Sequence, residues 1–229
     1  EAGADANGVM EDGTSVLASA VRGLHRFSGN HVKEGIPDCV RLLLEAGAAT
    51  ETPGKNGRLL SPISPGGMSI LPECLRLLVD AGADVNARCN AQGMTPLMQA
   101  ALHNDSVACR LLLNAGADPN LRDVNGMTAL NYALIGKDLP TNQLDAFRTL
   151  LPWGSRIDMR CTPPQGAAYK GATPLHHAVL VNSGNDIWNL LRCGADTTAK
   201  DDAGRTPLDL ARELNRTKLI PLLENALNK

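Results

Sequence analysis

Large aromatic side chains are scarce in this sequence of 229 residues, which contains two Trp, two Tyr and two Phe. A core must therefore be built mainly from aliphatic side chains such as Leu and Ala. An excess of one charge is also missing, because 22 Lys and Arg residues nearly balance 24 Asp and Glu residues. The resulting net charge of -2 gives no indication of nucleic acid or of an anionic membrane as a partner.

Long apolar segments are absent as well. No stretch approaches the roughly 18 consecutive apolar residues that a membrane-spanning helix requires. The first residues also lack the basic, then apolar, then cleavable order of a signal peptide. We therefore expect an intracellular location, in the cytoplasm or the nucleus, and no membrane partner.

The sequence also lacks the short motifs of known catalytic and metal sites. It has no C-x-x-C, no cysteine within metal-ligand spacing of a histidine, no G-x-S-x-G, no phosphate-binding glycine loop and no H-E-x-x-H. We therefore expect no enzymatic activity and no catalytic residue. For the same reason we expect no metal, no cofactor, no small-molecule substrate and no nucleic-acid partner.

What the sequence does contain is a motif that recurs four times. It reads GMTPLMQAA from Gly93, GMTALNYAL from Gly126, GATPLHHAV from Gly171 and GRTPLDLAR from Gly204. A separation of 33 residues joins the first two copies and also the last two. Gly-Ala-Asp follows the first and the third copy after 23 residues. A fixed period in this range indicates a repeat architecture.

Each copy has the physical signature of two short helices followed by a turn. Thr followed by Pro, as in Thr173-Pro174, is a helix cap followed by proline at the first helical position. Leucines at helical spacing follow, and a glycine such as Gly116 ends the second helix. The turn-forming residues after that glycine, for example 117–125, predict a projecting hairpin, called a finger below. Such a unit cannot bury its apolar face alone, so neighbouring units must stack.

These residues resemble the ankyrin-repeat family, whose unit of 33 residues carries T-P-L-H-x-A in its first helix. The resemblance implies an all-α solenoid of helix-turn-helix units with β-hairpin fingers. It predicts a single domain over 1–229 with about six units, preceded by the tail of a truncated unit at 1–9. The units extend over 10–53, 54–89, 90–122, 123–167, 168–200 and 201–229.

The resemblance further implies a non-enzymatic interaction module, a scaffold or adaptor that binds a protein or peptide segment in a concave groove. In this family the groove is built from the fingers and from the last positions of the first helices. Transferred to this chain, the expected groove residues are Met94, Leu102, His103, Met127, Ile135, Tyr169, Lys170, Leu180 and Val181. A contiguous exposed apolar stripe of this kind marks an interaction site. The alternative is that these side chains pack beneath neighbouring fingers.

Two other functions remain open at this point. The chain could be the substrate-recruiting arm of a larger enzyme, such as a ubiquitin ligase adaptor, with catalysis outside the repeats. It could also be a structural spacer, which would not need an apolar stripe. A pattern ending in Asp-Val-Asn86 is similar to the finger motif that asparaginyl hydroxylases modify in this family.

Departures from the repeat point to further expectations. Extra residues fall at 21–35, at 136–143 and in the finger 155–170, either as tolerated loop growth or as recognition loops. The first helix of the second unit contains Pro65, Gly66 and Gly67 and should be short or irregular. The resemblance places Trp153 and Trp188 at or near second helices, on the convex back of such a solenoid. Trp188 falls where a polar residue is usual, so it is either a second contact point or a cover for the extended fourth unit.

Individual polar positions also carry expectations. His176 occupies the histidine position of the motif, where it should bond Thr173 across the turn, and the neighbouring His177 could face the groove. Three cysteines on second helices are expected to serve as small packing residues, whereas two in fingers are expected to be exposed. The first group is Cys39, Cys74 and Cys109, and the second is Cys89 and Cys161.

Overall fold

A computed structural model of the chain describes residues 5–9, 11, 14–22, 35–50, 71–135, 146–161 and 169–228. These ranges contain eleven α-helices and one 3-10 turn, Leu151–Trp153, after the seventh helix. The helices are α1 Val16–Arg22, α2 Ile36–Glu45, α3 Pro72–Asp80, α4 Pro96–Leu102, α5 Ser106–Asn114, α6 Ala129–Ile135, α7 Ala146–Leu150, α8 Pro174–Leu180, α9 Gly184–Arg192, α10 Pro207–Glu213 and α11 Ile220–Leu227.

The chain groups into two compact units, which are described separately. The first unit comprises Glu1–Ala100 with Asp105–Asp118, and the second comprises Ala101–Asn104 with Pro119–Lys229. In the first unit α1 contacts α2, α2 contacts α3 and α3 contacts α5. In the second unit α6, α8 and α10 contact one another in chain order, α9 contacts α11, and each hairpin pair is in contact. These contacts join helices of one hairpin or equivalent helices of neighbouring repeats, which confirms the all-α ankyrin solenoid.

The first helices begin at the threonine that the motif places there. At α10 the hydroxyl of Thr206 accepts from the Asp209 backbone N–H at 3.2 Å, and the Asp209 carboxylate accepts from the Thr206 N–H at 2.9 Å. This reciprocal cap satisfies two of the free amides at the helix start. The pKa of Asp209 lies below its usual value because Thr206 donates hydrogen bonds to its charged form. The cap therefore favours the ionised carboxylate.

At α8 a histidine takes the place of that carboxylate. The backbone N–H of Thr173 donates to Nδ1 of His176 at 3.2 Å, and the Thr173 hydroxyl lies 2.9 Å from the same atom. Because an amide can only donate, Nδ1 is the acceptor and the ring proton is on Nε2. Nε2 then donates to the carbonyl of Arg205 in the next finger at 2.9 Å. The predicted bond between His176 and Thr173 is confirmed, and the same ring also ties α8 to the following repeat.

Each finger closes at its base through a backbone hydrogen bond, with a second short turn bond beside it, rather than through a ladder. The described residues contain two isolated β-bridges and no extended strand. Of the expected β-hairpins, therefore, only the hydrogen-bonded base is present in this part of the chain. A repeated glycine in the left-handed region, with φ between 71 and 79°, turns the chain back beside each bond. The bonds run from the N–H of Cys89 to Met94, of Asp123 to Met127, of Cys161 to Ala172 and of Asp201 to Arg205, over 2.8 to 3.0 Å.

A row of finger side chains links each repeat to the next. Asn120 donates to the carbonyl of Gly154 at 3.1 Å and accepts from the N–H of Arg156 at 2.7 Å. Asn7 and Asp158 make equivalent bonds to later repeats, and Asn86 accepts from the Asp118 N–H at 2.9 Å. In the next repeat these bonds reach backbone atoms. They therefore set the register between neighbouring repeats without depending on the side chains of the residues that they contact. We call this row the finger ladder.

The core is aliphatic, as the shortage of aromatics predicts, but three of the cysteine predictions are wrong. Cys74 and Cys109 are fully buried as expected, whereas Cys39 is exposed, because it lies on the outer side of α2. Cys89 and Cys161 are buried rather than exposed, at 2 % and 3 % exposure. Their side chains turn inwards at the finger base, where the Cys161 thiol lies 3.2 Å from the Ala172 carbonyl.

Several predictions lie wholly or partly outside the described residues. They concern the irregular first helix around Pro65, the insertions at 21–35 and 136–143, and the middle of the finger 155–170. The division into six units with the stated boundaries stays a prediction.

Candidate partner-binding groove

The first helices end at equivalent positions along the chain. α4 ends at Leu102, α6 at Ile135 and α8 at Leu180, and all three side chains are partly exposed. Two residues after the ends of α4, α8 and α10 stands an asparagine with φ between 53 and 55°, a conformation that asparagine tolerates better than most residues. These asparagines are Asn104, Asn182 and Asn215. The same turn therefore follows the same helix position in these three repeats.

The first helix of the last repeat ends on a charged residue that is tied to a finger. Arg205, at the base of a finger, contacts the Glu213 carboxylate at the end of α10 over 3.0 Å. Its guanidinium also stands 5.5 Å from the ring centre of Tyr169 in the preceding finger. In the last repeat a finger and the end of a first helix therefore lie side by side, which is the arrangement that a groove between them requires.

A buried carboxylate holds this arginine in place. Asp201 contacts Arg205 at 2.8 Å, and its side chain is 1 % exposed. Burial acts to raise the pKa of Asp201, but hydrogen bonds from the side chain and backbone of Arg205 outweigh it and lower that pKa. Asp201 is therefore charged at neutral pH and fixes one edge of the guanidinium, while Glu213 meets another.

Two of the predicted groove residues do not belong to an exposed surface. Met127 is fully buried and Met94 is 7 % exposed, so the prediction that they line a groove is wrong. The physical reason is the finger base: their backbone carbonyls accept its closing hydrogen bonds, from Asp123 and Cys89, and the side chains then point into the core.

The other predicted groove residues reach the surface to different degrees. Val181 is 40 % exposed and Lys170 is exposed. The remaining five are partly exposed, namely Leu102, His103, Ile135, Tyr169 and Leu180. All seven belong to the second unit. The groove as a binding surface stays a prediction, carried by these seven residues.

His177 does not face the groove, which corrects a further expectation. It is 2 % exposed, and its Nδ1 has no hydrogen-bond partner within the part of the chain that the structure describes. Its Nε2 lies 3.7 Å from the Cys161 thiol. Burial, with a smaller contribution from His176, lowers the pKa of His177 to about 4, and burial raises the pKa of Cys161 to about 12. Both groups are therefore neutral at neutral pH, and they form no thiolate-imidazolium pair.

A set of arginines on the fingers was not predicted from the sequence. Arg122 donates to the carbonyl of Gly126 at 3.2 Å, and Arg160 donates to that of Gly171 at 3.1 Å. Arg88 makes the same contact to Gly93. Each arginine stands two residues after the finger-ladder residue, a spacing that is visible in the sequence once the ladder is known. These arginines brace the repeated glycines from the solvent side.

The described residues contain no group of three or more His, Cys, Asp or Glu side chains placed to hold a metal ion. Of the helices in the described ranges, none has both the length and the apolar character needed to cross a membrane.

The sequence of this chain is similar to several known proteins that contain ankyrin repeats. Residues 69–161 match the model "Ankyrin repeats (3 copies)" and residues 170–202 match the model "Ankyrin repeat". Mitochondrial disaggregase from Bos taurus is 35% identical over 142 residues, which cover 60% of this chain and 19% of the relative. Ankyrin repeat and SOCS box protein 16 from Mus musculus is 39% identical over 178 residues, covering 76% of this chain and 37% of the relative. Protein PhlB from Serratia liquefaciens is 37% identical over 123 residues, covering 54% and 49%.

The chain thus spans less than half the length of each of these three relatives. What it shares with the disaggregase is the repeat segment, and ankyrin repeats are typically non-catalytic. The chain belongs to the ankyrin-repeat family, whose repeats act as protein–protein interaction modules.

Proposed function

We propose that this chain binds a protein or peptide segment in a groove of its second unit and performs no chemistry of its own. The groove is formed by Leu102, His103, Ile135, Tyr169, Lys170, Leu180 and Val181. One observation carries the proposal: three first helices end on an apolar residue, and each of these residues is partly exposed. A position that faces solvent would ordinarily carry a polar residue.

The chemistry of the groove indicates the kind of partner. Leu102, Ile135 and Leu180 offer apolar contacts at a repeated spacing, which suits a helix or an extended segment with spaced apolar side chains. Towards the last repeat the surface becomes polar, where Arg205 pairs with Glu213 beside Tyr169. A partner segment that is apolar along most of its contact and polar at one end fits this arrangement.

A photo-crosslinking experiment can identify the partner and test, at the same time, whether the partner binds in the groove. A photoreactive phenylalanine analogue at Val181, which is 40 % exposed beside Leu180, should crosslink the partner in a cell extract. The same analogue at Val107, which is 45 % exposed on the second helix α5, is the matched control. The location is supported if a polypeptide is captured from position 181 and not from position 107. Capture from position 107 alone refutes it.

A double substitution then tests the contribution of the apolar row. Burying a leucine side chain fully is worth about 1.5–3 kcal/mol, and each of these leucines is already partly buried, so each should contribute about 1 kcal/mol to binding. Replacing Leu102 and Leu180 together by Asp also places two carboxylates against an apolar partner. The affinity for the crosslinked partner should fall by at least about 100-fold.

The control for this test removes two exposed apolar residues elsewhere. Leu42, 64 % exposed on α2, and Val107 on α5 are replaced together by Asp. Exposed substitutions change stability by only about 0.5 kcal/mol each, so the control variant should remain folded. Leu102 and Leu180 are partly buried, so circular dichroism must show that their double variant is folded before its binding is compared. If the Leu102/Leu180 variant folds and binds as tightly as the control variant, the groove is not the binding site.

A second candidate is that the chain is the substrate-recruiting arm of a larger enzyme, such as a ubiquitin ligase adaptor. One observation favours it: the chain covers 37% of a relative whose name carries a SOCS box beside its ankyrin repeats. The sequence of the complete protein decides this question. An adaptor box or a catalytic domain beyond the repeats supports it, and a complete protein made of repeats alone refutes it.

A further inference from the structure

A tryptophan stands exposed on the layer of second helices in the second unit. Trp188 lies on α9 and is 52 % exposed, whereas Ile187 and Leu190 on the same helix are fully buried. α9 packs against α8 and against α11, and Trp188 belongs to a second helix, whereas the groove residues belong to first-helix ends and fingers. An exposed indole of this size is a candidate contact residue, because tryptophan is enriched among the residues that dominate binding energy.

Trp188 separates two clefts. One, of about 390 Å³, lies between α9 and α11 and is lined by Leu191, Leu222 and Ala226 among others. The second, of about 490 Å³, lies on the other side of the indole, and Asn189 and Arg148 contribute to its walls. Both clefts are open to solvent rather than enclosed. Each cleft can therefore take one or two side chains of a segment that crosses the indole between them.

The charges around the two clefts are positive. Arg192 lines the first cleft and Arg148 the second, and both are exposed. The helices α7, α9 and α11 carry two carboxylates, but Asp186 is buried, and Glu224 is paired with Arg212 at 2.7 Å. An occupant of this face therefore meets two arginines and no unpaired exposed carboxylate from these three helices.

Arg192 is also held in a position to receive an acid. Its guanidinium lies 4.6 Å from the centre of the Trp188 ring. A guanidinium at this distance is attracted to the face of the ring, and its N–H groups can also donate two parallel hydrogen bonds to a carboxylate. The indole thus offers apolar area, and the arginine stacked on it offers charge.

We propose that this face, defined by Trp188, Arg148, Arg192 and Leu222, is a second docking site that binds an acidic peptide segment with apolar anchors. The anchors enter the two clefts, the peptide crosses the indole, and its Asp or Glu side chains pair with the arginines. The site is distinct from the groove, since it is built from second helices and the groove from first-helix ends and fingers. One chain can then hold two partners at once.

Selection from a library of random dodecapeptides displayed on phage tests the proposal. The 229-residue chain is the bait, and the Trp188→Ala variant is used for counter-selection. We expect the retained peptides to combine Asp or Glu with aromatic or large aliphatic residues. A selected peptide should bind the Trp188→Ala variant about tenfold more weakly or worse. Combined reversal of Arg148 and Arg192 to Glu should have a similar effect, and added salt should weaken binding to the unmodified chain.

Matched variants make the result specific to this face. Trp153 is 44 % exposed but lines neither cleft, so Trp153→Ala should bind the peptide unchanged. The Leu102/Leu180 groove variant should also bind it unchanged. The proposal is overturned if no retained peptide depends on Trp188, or if the dependent peptides are neutral or basic. It is equally overturned if sedimentation shows Trp188-dependent dimers, because the occupant is then a second copy of the chain.

Discussion

Acidification should weaken the fold through one buried histidine. His177 has its pKa lowered from 6.5 to about 4, first because burial disfavours the charged ring and second because His176 adjoins it. Above pH 6.5 the ring is neutral in both the folded and the unfolded chain, so its protonation costs nothing there. As the pH falls from 6.5 towards 4, the unfolded chain binds a proton that the folded chain does not, and the free energy of unfolding falls.

The size of the effect follows from the two pKa values. Integrating the difference in bound protons from pH 7 to pH 5 gives a loss of about 2 kcal/mol for this one side chain. The pKa of His176 is lowered by burial as well, so its contribution has the same sign. Asp201 and Asp209, whose pKa values are lowered below 3.8, lose their contributions only at lower pH. The interval between pH 7 and pH 5 therefore isolates the histidines.

Denaturant unfolding followed by circular dichroism at several pH values measures this loss. His177→Leu removes the titrating ring and also a buried Nδ1 without a hydrogen-bond partner among the described residues, so the variant should be close to the unmodified chain in stability at pH 7. Between pH 7 and pH 5 it should lose about 2 kcal/mol less than the unmodified chain.

His177→Gln is the matched control, because it keeps a polar side chain without a titrating group. The Leu and Gln variants should differ in absolute stability and yet share the same dependence on pH. If the unmodified chain and both variants lose the same free energy of unfolding between pH 7 and pH 5, the buried neutral ring is not the cause and the reasoning fails.

Two further substitutions test the local structure. Thr173→Ala removes the hydroxyl that contacts His176 at the start of α8, and it should lower the unfolding free energy by about 1 kcal/mol; an unchanged denaturation curve would show that this threonine is not a cap. Asn120→Ala removes two finger-ladder bonds, so hydrogen exchange at the Arg156 amide should accelerate by about tenfold, which is roughly 1.4 kcal/mol. Unchanged protection of that amide would contradict the ladder.

Much of the fold could be predicted from the sequence because its determinants are local and repeated. The Thr-Pro start, the glycine that ends each second helix and the spacing of 33 residues all act within one unit. The same holds for His176, whose bond to Thr173 spans three residues along the chain. Stacking of such units then follows from the need to bury their apolar faces.

The exposure of a candidate site residue could be predicted from the sequence when it depends only on the position of the residue in a helix. It could not be predicted when it depends on the direction in which a finger side chain points. Leu102, Ile135 and Leu180 reach the surface as expected, since all three stand at the same position of a helix end. Met94 and Met127 do not, because a hydrogen bond across the finger sets their direction, and spacing alone does not encode that bond. The contact between Arg205 and Glu213 depends on the angle between finger and helix, which is a tertiary property.

The hydrogen bonds at the base of the finger 155–170 hold the neighbouring repeats together, so the stacking of the repeats does not depend on the length of the finger beyond that base. Cys161 bonds the Ala172 carbonyl at 2.9 Å, Arg160 bonds the Gly171 carbonyl, and Asp158 reaches the Asp196 amide of the next repeat. The described residues on either side of 162–168 therefore form a closed, anchored base, and closing a longer connection across such a base costs little, about 0.6 kcal/mol for each doubling of its length. This segment is a natural place to graft foreign peptides, so the chain can serve as a carrier that displays new sequences while its own repeats stay in register.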